Sequence, residues 1–353
     1  MQIQVAAENN QLNNWLNKHG KLYLFCNDKH KHIYPVLFLL LLFYNEAGNA
    51  FVESPLNRTT KINIKNPGLL AGILVLNMNK KISIQGYEGS FHQEASRQFF
   101  GKDVEVIPCA TFREVVKVAG NKKESDGGVM AIENSIAGSI LPNYNLLQKS
   151  GLKIIGEVYL LIKQNLLVNP GVKLEDIKEV HSHTMALQQC YDFLDQHKWK
   201  LVETEDTALS AKHIHQYKSK HVAAIASKLA AELFELEIIA PNIHTVKNNY
   251  TRFLVLQRED AAIKIENADK ASVNFQTDHS KGSLAKVLTK IAEGGINLSK
   301  LQSFPIPGTD FKYSFHADME FDSAEQFDQV IEVIKPLTAE IKIYGVYKRG
   351  IWK

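Results

Sequence analysis

An α/β fold followed by a smaller βαββαβ unit is the architecture this sequence predicts, and two observations carry it. Between Lys80 and Gln257, short β-prone runs alternate with amphipathic helical runs, the mark of βα units around a mostly parallel sheet. Across residues 271–349 the order is strand, helix, strand, strand, helix, strand, which is the ferredoxin-like plan. A chain of 353 residues is long enough to divide in this way, since single hydrophobic cores seldom grow so large.

The elements follow in order. "KISIQG" is a strand ending at Gly86, and "SFHQEASRQFFG" is a helix with Ser90 as its N-cap. "VEVIPC" is a strand, "TFREVVKVAG" a helix and "GGVMAIE" a strand. From "NYNLLQKSG" through "LKIIGEVYLLIKQNLLVNP" the apolar residues run on, and the stretch reads as extended. The alternation then resumes with "LEDIKEVHSH", "TMALQQCYDFLDQH", "KLVETED", "TALSAKHIHQY", "HVAAIAS" and "KLAAELFE", and closes on the strand "NNYTRFLVLQRE". The polar "DAAIKIENADK" is a linker. In the second unit "KASVNFQTD" is a strand and "GSLAKVLTKIAEGG" a helix. "INLSKLQSFPIPG" and "KYSFHADMEF" form a hairpin-like pair, "SAEQFDQVIEVIKPLTA" is a helix and "EIKIYGVY" a last strand.

The first 77 residues stand apart. They show no sustained helical or strand period, and their apolar run, Ile33 to Tyr44, is too short to cross a bilayer. Basic residues before it and small residues after it, Ala47 to Ala50, are features of an export signal, but the charged region is long for one. The expectation is an extended start assignment or a poorly ordered, dispensable tail, with Met78 opening the folded chain. A net charge of +3 with dispersed lysines argues for no nucleic acid and no membrane as partner. The cysteines, Cys26, Cys109 and Cys190, have neither metal-ligand nor disulfide spacing, which fits a reducing cytoplasm.

Four polar clusters sit where strands give way to helices or turns, the edge at which open α/β sheets bind ligands. In "GYEGSF", Gly86 to Phe91, two glycines let backbone approach an anion, and the next helix offers its free N–H groups; a tight turn with an N-cap would use the same residues. Glu133, Asn134 and Ser135 follow the strand "GVMAI", more polar groups than an Asx turn needs. Ser182, His183 and Thr184 lie between a strand and a helix, as a cap or as a carboxylate holder. His181 and His183 lack a third ligand, so no metal is expected. Asp206 and Thr207 read as an N-cap pair. Thr251 and Arg252 begin a strand that is otherwise apolar, an odd place for a hydroxyl and a permanent cation. Hydroxyls, an amide, helix N-termini and one arginine suit a small organic dianion. With no Walker loop, dinucleotide fingerprint or Cys/His pair, the chemistry needs no cofactor.

Taken in order, "GYEGSFHQEA", "IENSIAGSI", "SHTMALQQC", "DTALSA" and "NNYTRF" resemble the motif series of prephenate dehydratase. "DHSKGSLAKVLTKIAEGGINLSKLQSFP" resembles the ACT regulatory domain that commonly follows it, and the likeness runs from about Lys80 to Tyr347. The resemblance implies decarboxylating dehydration of prephenate to phenylpyruvate, on the way to phenylalanine. It implies a two-lobed catalytic domain like the type II periplasmic binding proteins, residues 78–258. Lobe 1 would span about 78–158 and 242–258, lobe 2 about 159–241. A linker at 259–270 and a ferredoxin-like ACT domain at 271–349 would follow.

By the same resemblance Thr251 is the catalytic acid at the leaving hydroxyl. Asn134, Ser135, Ser182 and Thr207 bind the substrate's carboxylates and ring oxygen. Arg252 orients a carboxylate or supports the threonine, Phe253 packs beneath, and Glu133 touches substrate or orders its loop. The ACT segments Gly282, Ser283 and Leu284, and Gln302, Ser303, Phe304 and Pro305, imply L-phenylalanine as allosteric ligand in a homodimer or homotetramer. Two departures stand out. Thr184 and Met185 replace the family's proline and glutamine, and "QSFP" replaces Glu-Ser-Arg-Pro. Arogenate dehydratase, and a non-catalytic sensor of an amino acid or small dianion, are the alternatives.

Overall fold

The computed structural model describes residues 80–352 except 263, 264, 307 and 311, together with three short strands nearer the N-terminus. The chain forms two compact units, Met1–Met78 and Asn79–Lys353. In the first, β1 (Lys21–Leu22), β2 (Leu41–Tyr44) and β3 (Ala50–Glu53) make an antiparallel sheet. The rest of that unit, and with it the expectation of a patternless tail, lies outside the described residues. Among the described residues no helix is long and apolar enough to cross a membrane.

The second unit is built on three sheets. The first has the order β5 (Glu105–Cys109), β4 (Lys81–Gln85), β6 (Gly127–Asn134), β14 (Tyr250–Gln257), β8 (Lys153–Leu161), with β7 (Gly138–Ser139) on the end of β6. β4 runs parallel to β5 and β6, whereas β14 is antiparallel to β6 and β8. Around it lie α1 (Phe91–Phe100), α2 (Phe112–Ala119) and α3 (Leu141–Ser150). Ser90 Oγ caps α1 by accepting from Gln93 N, and Gln93 Oε1 returns the favour at Gly89 N. The α3 segment corrects the extended reading of "NYNLLQKSG". Proline in its first turn and a left-handed Gly151 at its end punctuate a helix whose apolar pattern is weak.

The second sheet has the order β11 (Lys200–Thr204), β10 (Glu179–His183), β12 (Val222–Ala226), β9 (Asn165–Val168), β13 (Glu237–Ala240). Its helices are α4 (Thr184–Gln189), α5 (Tyr191–Leu194), α6 (Thr207–Gln216) and α7 (Lys228–Leu233). The chain passes between these sheets twice, after β8 and before β14, and the crossings are tied together by Ile162 N to Asn249 O at 2.7 Å and Ile243 N to Gln164 O at 2.8 Å. Two α/β lobes joined by paired crossings fit a type II periplasmic-binding-like fold.

The C-terminal unit is β15 (Lys270–Gln276), α8 (Ser283–Glu293), β16 (Asn297–Pro305), β17 (Tyr313–Glu320), α9 (Ala324–Ile334) and β18 (Glu340–Tyr347). Its antiparallel sheet has the order β16-β17-β15-β18. Alternation along β15 decides what each face meets. Ala271, Val273 and Phe275 pack against α8 and α9 with Val287, Ile291 and Phe327. The opposite face is buried too: Phe304, Tyr344 and Tyr347 join Tyr144, Leu147, Leu254 and Leu256 of the first lobe in one core. Each such large side chain contributes about 2 kcal/mol by leaving water. Gly345 makes the approach possible, because a Cβ there would lie 2.0 Å from Ile154 O.

Candidate active site

The carboxyl ends of β4 and β6 and the start of β14 share one edge of the first sheet, beside the crossings to the second lobe. Asn134 and Thr251 are in register there, Asn134 on β6 opposite Thr251 on β14. Asn134 Nδ2 donates to Thr251 Oγ1 at 3.0 Å, to Asn249 Oδ1 at 2.7 Å and to Tyr250 O at 3.2 Å. Asn134 Oδ1 accepts from Ile136 N and Ala137 N, which fixes the loop after β6. Ser135 Oγ accepts from Tyr250 N at 2.9 Å and donates to Asn248 O. Thr251 Oγ1 therefore accepts a hydrogen bond from the amide and keeps its own hydrogen to give.

Across the junction, Asp206 caps α6 by accepting from Leu209 N, and Thr207 is the first residue of that helix. Burial raises the Asp206 carboxyl, against the pull of the Leu209 and Ala208 N–H groups. Gly86 sits so close that a Cβ there would lie 2.7 Å from Asp206 Oδ2. Tyr87 Oη donates to Glu205 Oε1 at 3.0 Å, and Ser227 Oγ donates to Gly89 O at 2.6 Å. The "GYEGSF" turn thus rests on the helix N-termini of the second lobe.

Phe253 lies on the same face of β14 as Thr251, in the core with Ile82, Ala95 and Val158. His92 stands edge-on to it, ring centroids 4.9 Å apart, and its Nε2 accepts from Ala131 N at 3.3 Å. Burial drives the His92 pKa from an ordinary 6.5 down to about 3.

Arg252 points the other way, and of the two roles expected for it, orienting a carboxylate or supporting the threonine's surroundings, this placement fits the second. Successive residues of a strand face opposite sides, so Arg252 joins Leu254 and Leu256 on the side of the C-terminal unit. It is 5% exposed, and its donors go to Glu157 Oε2 at 2.7 Å, Asp318 Oδ2 and Tyr347 Oη at 3.2 Å. Glu157 also accepts from Lys270 Nζ at 3.0 Å, and Asp318 from Ser272 Oγ at 2.5 Å. Burial alone would raise the Asp318 carboxyl, but Arg252 and His316 outweigh it and hold it well below the usual carboxylate range.

Ser182, expected to bind substrate, has a protein partner for its hydroxyl as well. It is fully buried, and its hydroxyl donates to Ile225 O at 2.7 Å, a tie between β10 and β12. His183 caps α4, its Nδ1 accepting from Met185 N. Glu133 meets Lys300 Nζ of β16 at 2.5 Å, which fits the loop-ordering alternative.

In the C-terminal unit, Gly282 holds a φ of 81°, where glycine is at home, and opens α8. Beside it lies a cavity of about 310 Å³ bordered by Asp278, His279, Lys281, Ser283, Leu284 and Tyr313, among others. Gln302, Ser303, Phe304 and Pro305 do not line it, and Phe304 instead packs on Tyr144, ring centroids 5.5 Å apart. Replacing a family arginine by phenylalanine is understandable where the side chain enters an apolar core.

Sequence reasoning missed Asn249, Glu157, Lys300 and Asp318. The paired asparagines before β14 were a signal for the first. Glu157 is a single charge within an apolar run, and Lys300 and Asp318 lie on strands whose polar positions read as solvated faces. Among the described residues, no group of three or more His, Cys, Asp or Glu is placed to hold a metal ion.

A family model described as prephenate dehydratase matches residues 82–261. Arogenate dehydratase/prephenate dehydratase 1, chloroplastic, of Arabidopsis thaliana is 36% identical over 282 residues, covering 76% of this chain and 71% of that protein. Among solved structures, GqqA, described as a novel type of quorum quenching acylase, superposes with a TM-score of 0.70 at 28% identity, covering 76% of this chain and 98% of that one. Prephenate dehydratase of Arthrobacter aurescens, in complex with L-Phe, superposes with a TM-score of 0.67 at 27% identity, covering 76% of this chain and 90% of that one.

Proposed function

The chain belongs to the prephenate dehydratase family, whose reaction it catalyses, and we propose that the Asn134–Thr251 pair carries the chemistry. The bond between the ring and its carboxylate breaks and releases carbon dioxide, its electron pair enters the ring, and the ring hydroxyl departs, taking up a proton to leave as water. Aromaticity supplies the driving force, so the protein's task is to hold the dianion and help hydroxide leave. The observation that supports the reading is the 3.0 Å bond from Asn134 Nδ2 to Thr251 Oγ1. With Asn134 donating to Oγ1, the hydroxyl hydrogen is left for an acceptor that gains negative charge. Ser135, Thr207 and the α6 N-terminus would meet carboxylates, the last through its partial positive charge. An acylase reading fits less well, because the partners of Ser135 Oγ are backbone groups rather than an activating imidazole.

The C-terminal unit is read as an ACT domain that binds phenylalanine. Its βαββαβ order, the cavity beside Gly282 and the L-Phe complex of the Arthrobacter aurescens protein support this. Pairing of two such units gives at least a dimer. Buried free Cys109 and Cys190 suit a cytoplasmic location.

The test is Thr251→Val, which keeps β-branching and packing. Turnover of prephenate should fall roughly a hundredfold or more with KM little changed, as for loss of one preorganised hydrogen bond. Near-parental turnover in a folded variant removes Thr251 from the mechanism. Assaying arogenate beside prephenate separates the two substrates.

A further inference from the structure

We infer that Lys300 and Asp318, both on the C-terminal unit, are positioning residues for the dehydration; this rests on the Asn134–Thr251 pair being the reacting pair. The next rung of the same ladder is Glu133 opposite Arg252. Directly opposed residues in an antiparallel pair share a face, and opposite charges there attract each other. Yet Glu133 and Arg252 pair elsewhere. Lys300 Nζ holds Glu133 Oε1 at 2.5 Å and also reaches Ser139 Oγ at 2.5 Å, on β7. Asp318 holds the far side of the Arg252 guanidinium, with Glu157 of β8 on its Nε. Both carriers of the rung are thus drawn toward the C-terminal unit, one by a cation and one by an anion.

The location matters because the ladder is interrupted here. The β14–β6 register shifts between Arg252 and Phe253, where a bulge at Ile132 separates this rung from the regular pairing that resumes at Phe253 opposite Ala131. Asn134 and Thr251 form the last rung of the β6–β14 ladder, beyond that irregularity. Their 3.0 Å hydrogen bond spans the two strands and depends on the strands' relative placement. Without Lys300 and Asp318, Glu133 and Arg252 would turn to each other across the rung and shift the pair. A displacement of about 1 Å at a reacting group can cost a hundredfold in rate.

Lys300→Met is the variant of choice. It keeps the unbranched apolar stem of a partly exposed side chain and removes the ammonium with its bonds to Glu133 and Ser139. Asp318→Asn is a weaker probe because it leaves the buried Arg252 with Glu157 as its one carboxylate partner, which Lys270 shares. Steady-state turnover of prephenate is measured for the parent, Lys300→Met, Lys300→Arg, Thr251→Val and the Lys300→Met/Thr251→Val double variant. The expected result is a roughly ten- to hundredfold fall in kcat for Lys300→Met with KM nearly unchanged. Lys300→Arg restores most of it. In the Thr251→Val background the lysine change adds little, since its effect runs through the hydroxyl. Parental kcat in Lys300→Met beside a crippled Thr251→Val overturns the inference alone, and so does an additive double variant. Parental turnover in Thr251→Val overturns the reading of the pair, and this inference with it.

Discussion

Acid should weaken this fold through one buried imidazole, and the size of the effect follows from the structure. His92 lies beneath the site, between Phe253 and Phe112, and its Nε2 accepts from Ala131 N. Burial sets its folded pKa at about 3, against an ordinary 6.5 in the unfolded chain. Above pH 6.5 both states are neutral and the stabilising contribution is complete. Below it the unfolded chain binds a proton that the folded chain refuses, so stability falls with pH until the folded value is reached. The slope is about 1.4 kcal/mol per pH unit, which makes the whole span worth about 5 kcal/mol and the first two units about 3. That is a large share of the 5–15 kcal/mol that roughly bounds a folded domain. The assay is denaturant unfolding of the parent and of His92→Gln, which keeps an acceptor for Ala131 N. Carboxylates titrate in both proteins, so the difference between them isolates the imidazole. His92→Gln should be the less stable near neutral pH, for lack of the ring. Between about pH 7 and about pH 4.5 it should lose about 3 kcal/mol less than the parent. Parallel pH curves for the two proteins would refute the reasoning.

Two further outcomes are expected. Gly345→Ala should push β18 away from Ile154 and destabilise the chain by about 1–3 kcal/mol, seen as a lower unfolding midpoint; an unchanged midpoint would mean the strand is not pressed against β8 as described. Ser182→Ala should cost about 1 kcal/mol of stability, through the lost bond to Ile225 O, while KM for prephenate stays put. A raised KM without a change in melting temperature would instead return Ser182 to the substrate.

The sequence by itself determined the α/β class, because apolar periodicity registers which residues seek a core whatever the partner. It also marked the edge where Asn134 and Thr251 meet, because amides and hydroxyls in succession at a strand's end exceed what a turn requires. It could not show which way Arg252 points in use. Period-2 geometry puts adjacent residues on opposite faces, but what covers each face is a matter of long-range packing. Lys270, Ser272, Asp318 and Glu320 look like a solvated stripe when read along their strands. Only the docking of the C-terminal sheet on the first lobe takes most of that stripe out of water, and a charge removed from water must find a counter-charge in whatever chain segment lies opposite. For Arg252 that counter-charge lies sixty-six residues further along the chain, in Asp318. No local pattern encodes such a distance. The α3 helix shows the same limit on a smaller scale, since Tyr144 and Leu147 find their burial in a core shared by first-lobe residues such as Met130 and Ile132 and by Phe304 and Tyr347 of the C-terminal unit.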